Sequence, residues 1–565
     1  MTTDSTSAAP AFPNAAPTIP QLLATVADRF GDRVYLIAES CSLTYADLER
    51  RSARLARTLI AEGIGKRDHV GILMPNSVDW AIAWFATTRI GAVAVPLNTF
   101  YKPKELAWTA RHADLRAILT VPRLRTNDFP DRLEEAFAGL AEQKTPGRLR
   151  LPCAPYLRTI AIWGETGRQW ATTVVEDRTA AAAAPHCSEI DLLADIEACV
   201  TPADDCVIVY TSGSTGDPKG PRHSHGTMVR HSRRLTSIYL VEHDDVLFTA
   251  MPFFWIGGLM SGIHGVIHHG ATLVTQPVFD AAEALELIEK HRATTTLGWP
   301  QQGKTLAEQP GFATRDLSSV RRTSMPATVD APRRPPATGA LCLGMTELAG
   351  VHLGEDPYVA QPEHRRGAYG PSLPGLTHRI VAPDTGEPVP TGATGEIWVR
   401  GYALMQGFHK REREEVFTAD GFYRTGDAGF ADADGWITYT GRLGDMIKTG
   451  GGVNVTPADV EAALTGCPGV LEAYVVGARD PRHGEVVAAA VVPQAGAGLD
   501  AETLRTRVKS ELSAYKVPKH IWITGKQHLP FTDTGKLKRP ALADLLTARI
   551  AESHTITATT LPGEA

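Results

Sequence analysis

One run in the chain concentrates more chemistry than any other: Tyr210-Thr211-Ser212-Gly213-Ser214-Thr215-Gly216-Asp217-Pro218-Lys219-Gly220. Gly213, Gly216 and Gly220 let the backbone wrap closely around an anion and point its N–H groups inward. Ser212, Ser214 and Thr215 add hydroxyl donors, and Lys219 adds a positive charge. Polyphosphate is the ligand such a set fits. The apolar stretch Cys206-Val207-Ile208-Val209 comes just before, which puts the loop at the C-terminal end of a strand. The spacing is not G-x-x-x-x-G-K-[ST], in which Lys abuts the second glycine and a hydroxyl follows.

Further groups of reactive type lie downstream. Gly344-Met345-Thr346-Glu347 pairs a hydroxyl with a carboxylate, although a Thr-Glu pair alone can be a helix start. Tyr423-Arg424-Thr425-Gly426-Asp427 ends on a two-oxygen acceptor, and Gly441-Arg442-Leu443-Gly444-Asp445-Met446-Ile447-Lys448 follows it. Near the C-terminus, Leu529-Pro530-Phe531-Thr532-Asp533-Thr534-Gly535-Lys536-Leu537-Lys538-Arg539 sets Lys536 beside a glycine. Pro252-Phe253-Phe254-Trp255-Ile256-Gly257-Gly258-Leu259 and Gly298-Trp299-Pro300 are apolar and aromatic, as the wall of a ligand pocket would be.

In this order, and over roughly residues 20–548, the motifs resemble those of the adenylate-forming superfamily: acyl-CoA synthetases, peptide-synthetase adenylation domains and firefly-type luciferases. The resemblance implies ATP-dependent activation of a carboxylic acid through an acyl-adenylate, followed by transfer to CoA, with AMP and pyrophosphate released. An alternative keeps the adenylate but passes the acyl group to an amine, a carrier protein or another small nucleophile. A silent nucleotide-binding protein is disfavoured, because Lys219, Glu347, Asp427, Arg442 and Lys536 are all present.

The resemblance also implies roles. Thr211, Ser212, Gly213, Ser214, Thr215, Gly216 and Lys219 would cradle the ATP phosphates, with Thr346 on the AMP phosphate. Glu347, with Thr215, would hold Mg2+, which neutralises charge on the leaving pyrophosphate. Asp427 would accept both ribose hydroxyls, and Arg442 would reach ribose or phosphate. Lys536 would bridge the carboxylate and the α-phosphate during adenylation. The small domain would then swing about Gly444, and the Lys448-Thr449-Gly450-Gly451-Gly452 loop, with Lys448 counted among the catalytic residues, would line a pantetheine tunnel.

Phe254, Trp255, Gly258, Trp299, Leu343 and Gly344 are the expected substrate-pocket residues, for an aromatic or medium aliphatic acid. No acidic residue in 252–259 resembles the Asp that grips the amino group in amino-acid activators, which lowers amino acids as substrates. Two departures from the family pattern concern adenine. Leu343 stands where relatives carry a stacking aromatic, and Arg322-Thr323-Ser324-Met325-Pro326-Ala327 replaces a Gly-Gly-Ala-Pro-like loop, in a connection about ten residues short.

The elements that must position these groups alternate between helix and strand, which makes the fold class α/β. The expected architecture is a large N-terminal multi-layer α/β body with parallel sheets and a β-rich subdomain, plus a small mobile α+β C-terminal lid. Thr44 caps a helix opening at Tyr45; His69–Met74 and Ala92–Leu97 read as parallel strands joined through a helix over Trp80–Ile90. Short β segments run from Gly395–Arg400 to Trp436–Tyr439. The lid reads helix (Pro457–Leu464), strand (Val470–Val476), strand (Val486–Val492), helix (Ala501–Leu512). The Ala-run Thr179–Pro185 and the four-proline stretch Met325–Thr338 read as surface insertions. The expected division is a disordered tail over 1–19, the adenylation body over 20–443, the lid over 444–548 and a second tail over 549–565.

Composition narrows the class. With 565 residues, 43% of them hydrophobic, the chain has material for several cores. A net charge of −6 without basic clusters argues against nucleic acid as a partner. The seven cysteines are scattered and fit a reducing cytosol. No apolar run reaches the roughly 18–20 residues of a membrane span, and no signal peptide is legible, so a cytoplasmic location is expected. His223, His225, His264, His268 and His269 lack ligand-spaced companions and are not read as a metal site. A homodimer is compatible with all of this.

Overall fold

The computed structural model describes residues 18–39, 41–174, 192–211, 218–445, 447–448, 454–455, 457–481, 483–512, 516–532 and 535–559. The Ala-run and the loop interior Ser212–Asp217 fall outside these residues. By Cα proximity the chain divides into two compact units, Met1–Thr377 with Arg400–Tyr423, and His378–Val399 with Arg424–Ala565.

In the first unit, helix Val78–Arg89 explains the layering. Apart from Asp79 every one of its residues is buried, and Trp80 stacks on Trp84 at 5.9 Å. A helix apolar on every face must lie between layers. This one packs against strands of two different sheets. The eight-stranded sheet runs in the order 407–408, 221–224, 205–208, 93–96, 69–73, 115–120, 159–163, 172–174. Its centre is parallel, with His69–Leu73 between Val93–Pro96 and Leu115–Thr120, as the β-α-β rhythm requires. The six-stranded sheet runs 322–323, 295–297, 246–249, 272–275, 34–38, 41–44, and is parallel except at its last pair. The loop after Asp205–Ile208 therefore leaves the carboxyl end of an inner strand, where α/β sheets place their ligands.

In the second unit, a three-stranded sheet (Val470–Asp480, Gly484–Pro493, His520–Ile523) shows the period of two directly. Val475, Val487, Ala489 and Val491 pack against Val460, Leu464, Leu504 and Val508 of helices Pro457–Thr465 and Ala501–Glu511. Val476, Ala488, Ala490 and Val492 point the other way, against Leu542, Leu546 and Ile550 of helix Arg539–Thr559. A four-stranded sheet (376–381, 395–401, 423–431, 437–442) falls mostly within this unit as well.

Three local expectations change. The C-terminal helix continues to Thr559, through the stretch expected as a tail from 549, because Ile550 belongs to the second core and Arg549 covers the Trp522 ring at 4.2 Å. Ile19, assigned to the N-terminal tail, is fully buried and opens helix Ile19–Phe30 behind the Thr18 cap. Met325–Thr338 is not a plain surface insertion. Its prolines break it into single 3-10 turns, as they must, but Met325 and Val329 are buried in the core formed with Leu285, Ile288 and Leu306. Among the described residues no helix is long and apolar enough to cross a membrane.

Candidate active site

Thr211 and Lys219 face each other across the neck of the glycine-rich loop and exchange two backbone hydrogen bonds, of 2.9 and 3.0 Å. The Lys219 ammonium lies 5.6 Å from the centre of the Phe408 ring. Phe408 sits edge-on to Tyr423 at 6.2 Å, and the Tyr423 hydroxyl is 3.4 Å from Glu347 Oε1. A continuous set of contacts therefore joins the loop lysine to the expected Mg2+ carboxylate, although they are 128 positions apart in sequence (347 less 219).

Thr346 and Glu347 form one 3-10 turn, Thr346–Leu348, after strand Leu343–Met345. Two outside groups hold that turn. Met405 donates its N–H to the Glu347 carbonyl at 2.8 Å. His223 Nε2 lies 2.7 Å from the Thr346 carbonyl, which can only accept, so Nε2 carries the proton. Burial pushes the His223 pKa down to about 4, outweighing the opposite effect of that hydrogen bond, and the ring is neutral near pH 7. Leu343 and Gly344 lie in the same hairpin, paired with Leu353 and Val351.

The expected acid-pocket aromatics form a ladder of edge-on rings. Phe254 and Trp255 are 5.4 Å apart, Trp255 and Trp299 5.7 Å, and Phe100 extends the row from Phe254 at 6.2 Å. Trp299 keeps 42% of its surface exposed and Phe100 49%, so the row is open at both ends. Gly258 holds the turn beneath: a Cβ there would lie 2.1 Å from the Pro252 carbonyl oxygen. Phe253 turns away into the core, fully buried against Trp80 at 5.4 Å. Ser324, from the segment that stands in for the family's adenine loop, bonds both the N–H and the carbonyl of Gly298 at 2.9 and 2.7 Å.

In the second unit, Asp427 and Arg442 are register partners, with Arg442 Nε 2.9 Å from Asp427 Oδ1. Arg442 also donates to the Thr425 carbonyl at 2.8 Å, and Thr425 donates its hydroxyl to the Ile397 carbonyl at 2.6 Å. Asp427 is thus a buried carboxylate held by its own strand pair. Gly444 lies in the short turn Leu443–Asp445, and a Cβ there would meet nothing within 4 Å. Lys448 belongs to a two-residue strand paired with Asn454–Val455. Lys536 is exposed at the end of a tight turn, closed by Thr532 N–H to Lys536 carbonyl at 2.8 Å and by Lys536 N–H to the Thr532 hydroxyl at 3.0 Å. Ser212, Gly213, Ser214, Thr215 and Gly216 lie outside the described residues.

Glu347 suits a hard cation: one carboxylate, half-buried, fits Mg2+, which keeps most of its other ligands as water and phosphate oxygen. Among the described residues no group of three or more His, Cys, Asp or Glu is placed to hold a metal.

The AMP-binding enzyme family matches residues 23–409, and the AMP-binding enzyme C-terminal domain matches residues 459–536. The chain belongs to the AMP-binding enzyme family. It is 29% identical over 547 residues to the putative acyl-CoA synthetase YngI of Bacillus subtilis, covering 93% of this chain and 96% of that one. It is 32% identical over 507 residues to a feruloyl-CoA synthase of an Amycolatopsis species, covering 88% and 92%. Among solved structures, ATP-bound MatB from Rhodopseudomonas palustris matches with a TM-score of 0.74 at 25% identity, over 94% of this chain and 99% of the other.

Sequence reasoning missed three contributors. His223 was legible only as a loop position, because its partner is a carbonyl 123 residues away. Phe408 and Phe100 carry no motif at all. The ring ladder could have drawn attention to Phe100 only through knowledge of which strand ends adjoin.

Proposed function

We propose that this AMP-binding enzyme joins a carboxylic acid to AMP at the expense of ATP and then transfers the acyl group to CoA. The observation that carries the reading is the run of contacts from Lys219 through Phe408 and Tyr423 to Glu347, which links a cation to a carboxylate, the two groups that binding of Mg2+ and polyphosphate would need. The relatives named as acyl-CoA and feruloyl-CoA synthases support CoA as the acceptor.

In the first half-reaction a carboxylate oxygen attacks the α-phosphorus and the α–β bridging oxygen leaves with pyrophosphate. Lys219, Thr211, Ser212, Gly213, Ser214, Thr215 and Gly216 hold the leaving phosphates. Thr346, held by neutral His223, donates to the α-phosphate. Glu347 and Thr215 would hold Mg2+, which would neutralise charge on the departing pyrophosphate. Asp427 orients the ribose, with Arg442 beside it, and Lys536 stabilises the charge converging between acid and phosphate. In the second half-reaction the CoA sulfur attacks the acyl carbon, AMP leaves with its bond electrons, and the thiol proton passes to solvent. Rotation about Gly444 exchanges Lys536 for the Lys448 loop between the two steps.

The edge-on rings of Phe254, Trp255 and Trp299 support an aryl acid, for which they offer ring faces and edges. Medium aliphatic acids fit the same apolar wall, with Leu343 and Gly344 at its border. The scattered cysteines suit a reducing compartment, and a cytoplasmic location is part of this reading.

The test is mass spectrometry of the purified chain with ATP, Mg2+ and a panel of aromatic and aliphatic acids, with and without CoA. AMP formation together with an acyl-CoA is the expected result, and the acid that disappears names the substrate class. Acyl-adenylate that accumulates unchanged when CoA is added would refute CoA as the acceptor.

A further inference from the structure

The glycine-rich loop is anchored at both ends by groups that belong to no family motif read from the sequence. At its entry, the Tyr210 hydroxyl lies 2.7 Å from His112 Nδ1. Burial raises the Tyr210 pKa far above the ordinary phenol value, so the hydroxyl stays protonated and shares one hydrogen bond with Nδ1. At its exit, the His409 N–H donates to the Gly220 carbonyl at 2.8 Å. The two anchors meet: His409 Nε2 donates to the His112 carbonyl at 3.1 Å, and the two rings stand edge-on at 5.6 Å.

The surrounding groups brace this junction. Trp108 stacks on His112 at 4.6 Å, and His69, bonded to the Ala113 carbonyl, stands edge-on to His409 at 5.3 Å. Lys410 pairs with Asp114 at 2.8 Å, and that carboxylate comes within 3.8 Å of His409 Nε2. Gly220 is pressed against the Tyr210 ring so closely that a Cβ would lie 3.1 Å from Tyr210 Cζ and 2.7 Å from the Ile208 side chain. The residue before His409 is Phe408, whose ring lies beneath the Lys219 ammonium.

We propose that His112 and His409 are positioning residues for phosphate binding: through Tyr210 and Gly220 they fix the two ends of the loop and set its affinity for ATP without touching the nucleotide. The physical need is plain. Glycine has more conformational entropy to lose than any other residue, and three of the eight residues from 213 to 220 are glycine. Among the described residues, hydrogen bonds between Thr211 and Lys219 and between Val209 and Pro221 tie its neck. Holding Tyr210 and Gly220 in register from behind removes part of that entropy before ATP arrives, which is preorganisation.

The inference rests on the loop's reading as a polyphosphate site, so binding and turnover are measured separately. Titration calorimetry with a non-hydrolysable ATP analogue and Mg2+ is run on the whole chain beside acid-dependent pyrophosphate release. His112→Phe keeps the ring on Trp108 and removes the ring nitrogen, and Tyr210→Phe removes one oxygen and keeps the ring on Gly220. Each is expected to weaken analogue binding and raise KM for ATP by about three- to tenfold, the worth of one hydrogen bond, with KM for the acid unchanged. The double variant should be no worse than either single one, and His112→Asn, whose Oδ1 stands near the Nδ1 position, should restore binding. Wild-type affinity in both single variants, multiplying losses in the double variant, or equal rises in both KM values would overturn the proposal. If His112→Phe fails to fold, Tyr210→Phe and His112→Asn decide the matter. Wild-type chain that binds the analogue but releases no pyrophosphate with any acid refutes the adenylation reading and leaves the clamp measurable; wild-type chain that does not bind it refutes both.

Discussion

Lowering the pH from 8 to 5 should unfold the first unit, because five buried histidines there are neutral only while folded. His223, His225, His231 and His264 have no exposed surface and His268 only 8%. Burial pushes His223 and His225 down to about 4, His231 and His264 to about 3, and His268 well below its ordinary value of 6.5. Unfolding frees each ring to take up a proton near pH 6.5, so the unfolded chain binds more protons between pH 6.5 and about 4. The stability these groups allow is fully present above pH 6.5 and falls as the pH drops toward the folded values.

At pH 5 the loss is about 1.5 pH units at 1.4 kcal/mol each, or roughly 2 kcal/mol per histidine and about 8 kcal/mol for His223, His225, His231 and His264 together, with His268 acting in the same direction. That is comparable with the whole stability of a typical domain, about 5–15 kcal/mol. His264 offers a local check. Neither ring nitrogen has a hydrogen-bond partner, and the ring stands edge-on to Trp84 at 5.6 Å. Urea titrations read by tryptophan fluorescence at pH 8, 7, 6, 5.5 and 5 should show the midpoint falling steeply below pH 6.5, and His264→Leu should flatten the slope by about one proton. A midpoint that stays level from pH 7 to 5 would refute the reasoning, since these rings would then be solvated or already charged in the fold.

Other expectations concern the two half-reactions. Lys536→Ala should slow acyl-adenylate formation by about a hundred- to thousandfold and leave transfer from a supplied adenylate largely intact, as single-turnover assays of each step will report. Equal loss in both would contradict the two-pose mechanism. Gly444→Pro should allow one half-reaction and block the other, because proline fixes φ near −65° at the expected pivot; normal rates for both would move the hinge elsewhere. Trp255→Ala should raise KM for aryl acids by roughly tenfold, through the lost ring contacts, while KM for ATP stays as it was. An unchanged aryl KM would remove Trp255 from the acid site.

The sequence by itself determined the elements and the motif chemistry. The Thr44 cap, the parallel strands at His69–Leu73 and Val93–Pro96, and the lid's order of helices and strands follow from capping and from periods of 3.6 and 2, which are local. The phosphate loop was legible for the same reason: its glycines, hydroxyls and lysine are consecutive. Tertiary structure decided what local rules cannot reach. It buried Met325 and Val329 from a proline-rich stretch, continued the last helix to Thr559 over an apolar sheet face, and set His223 against Thr346 and Phe408 beneath Lys219. Such pairings depend on which strands neighbour each other in a sheet, and that order comes from crossovers and packing between segments far apart in the chain.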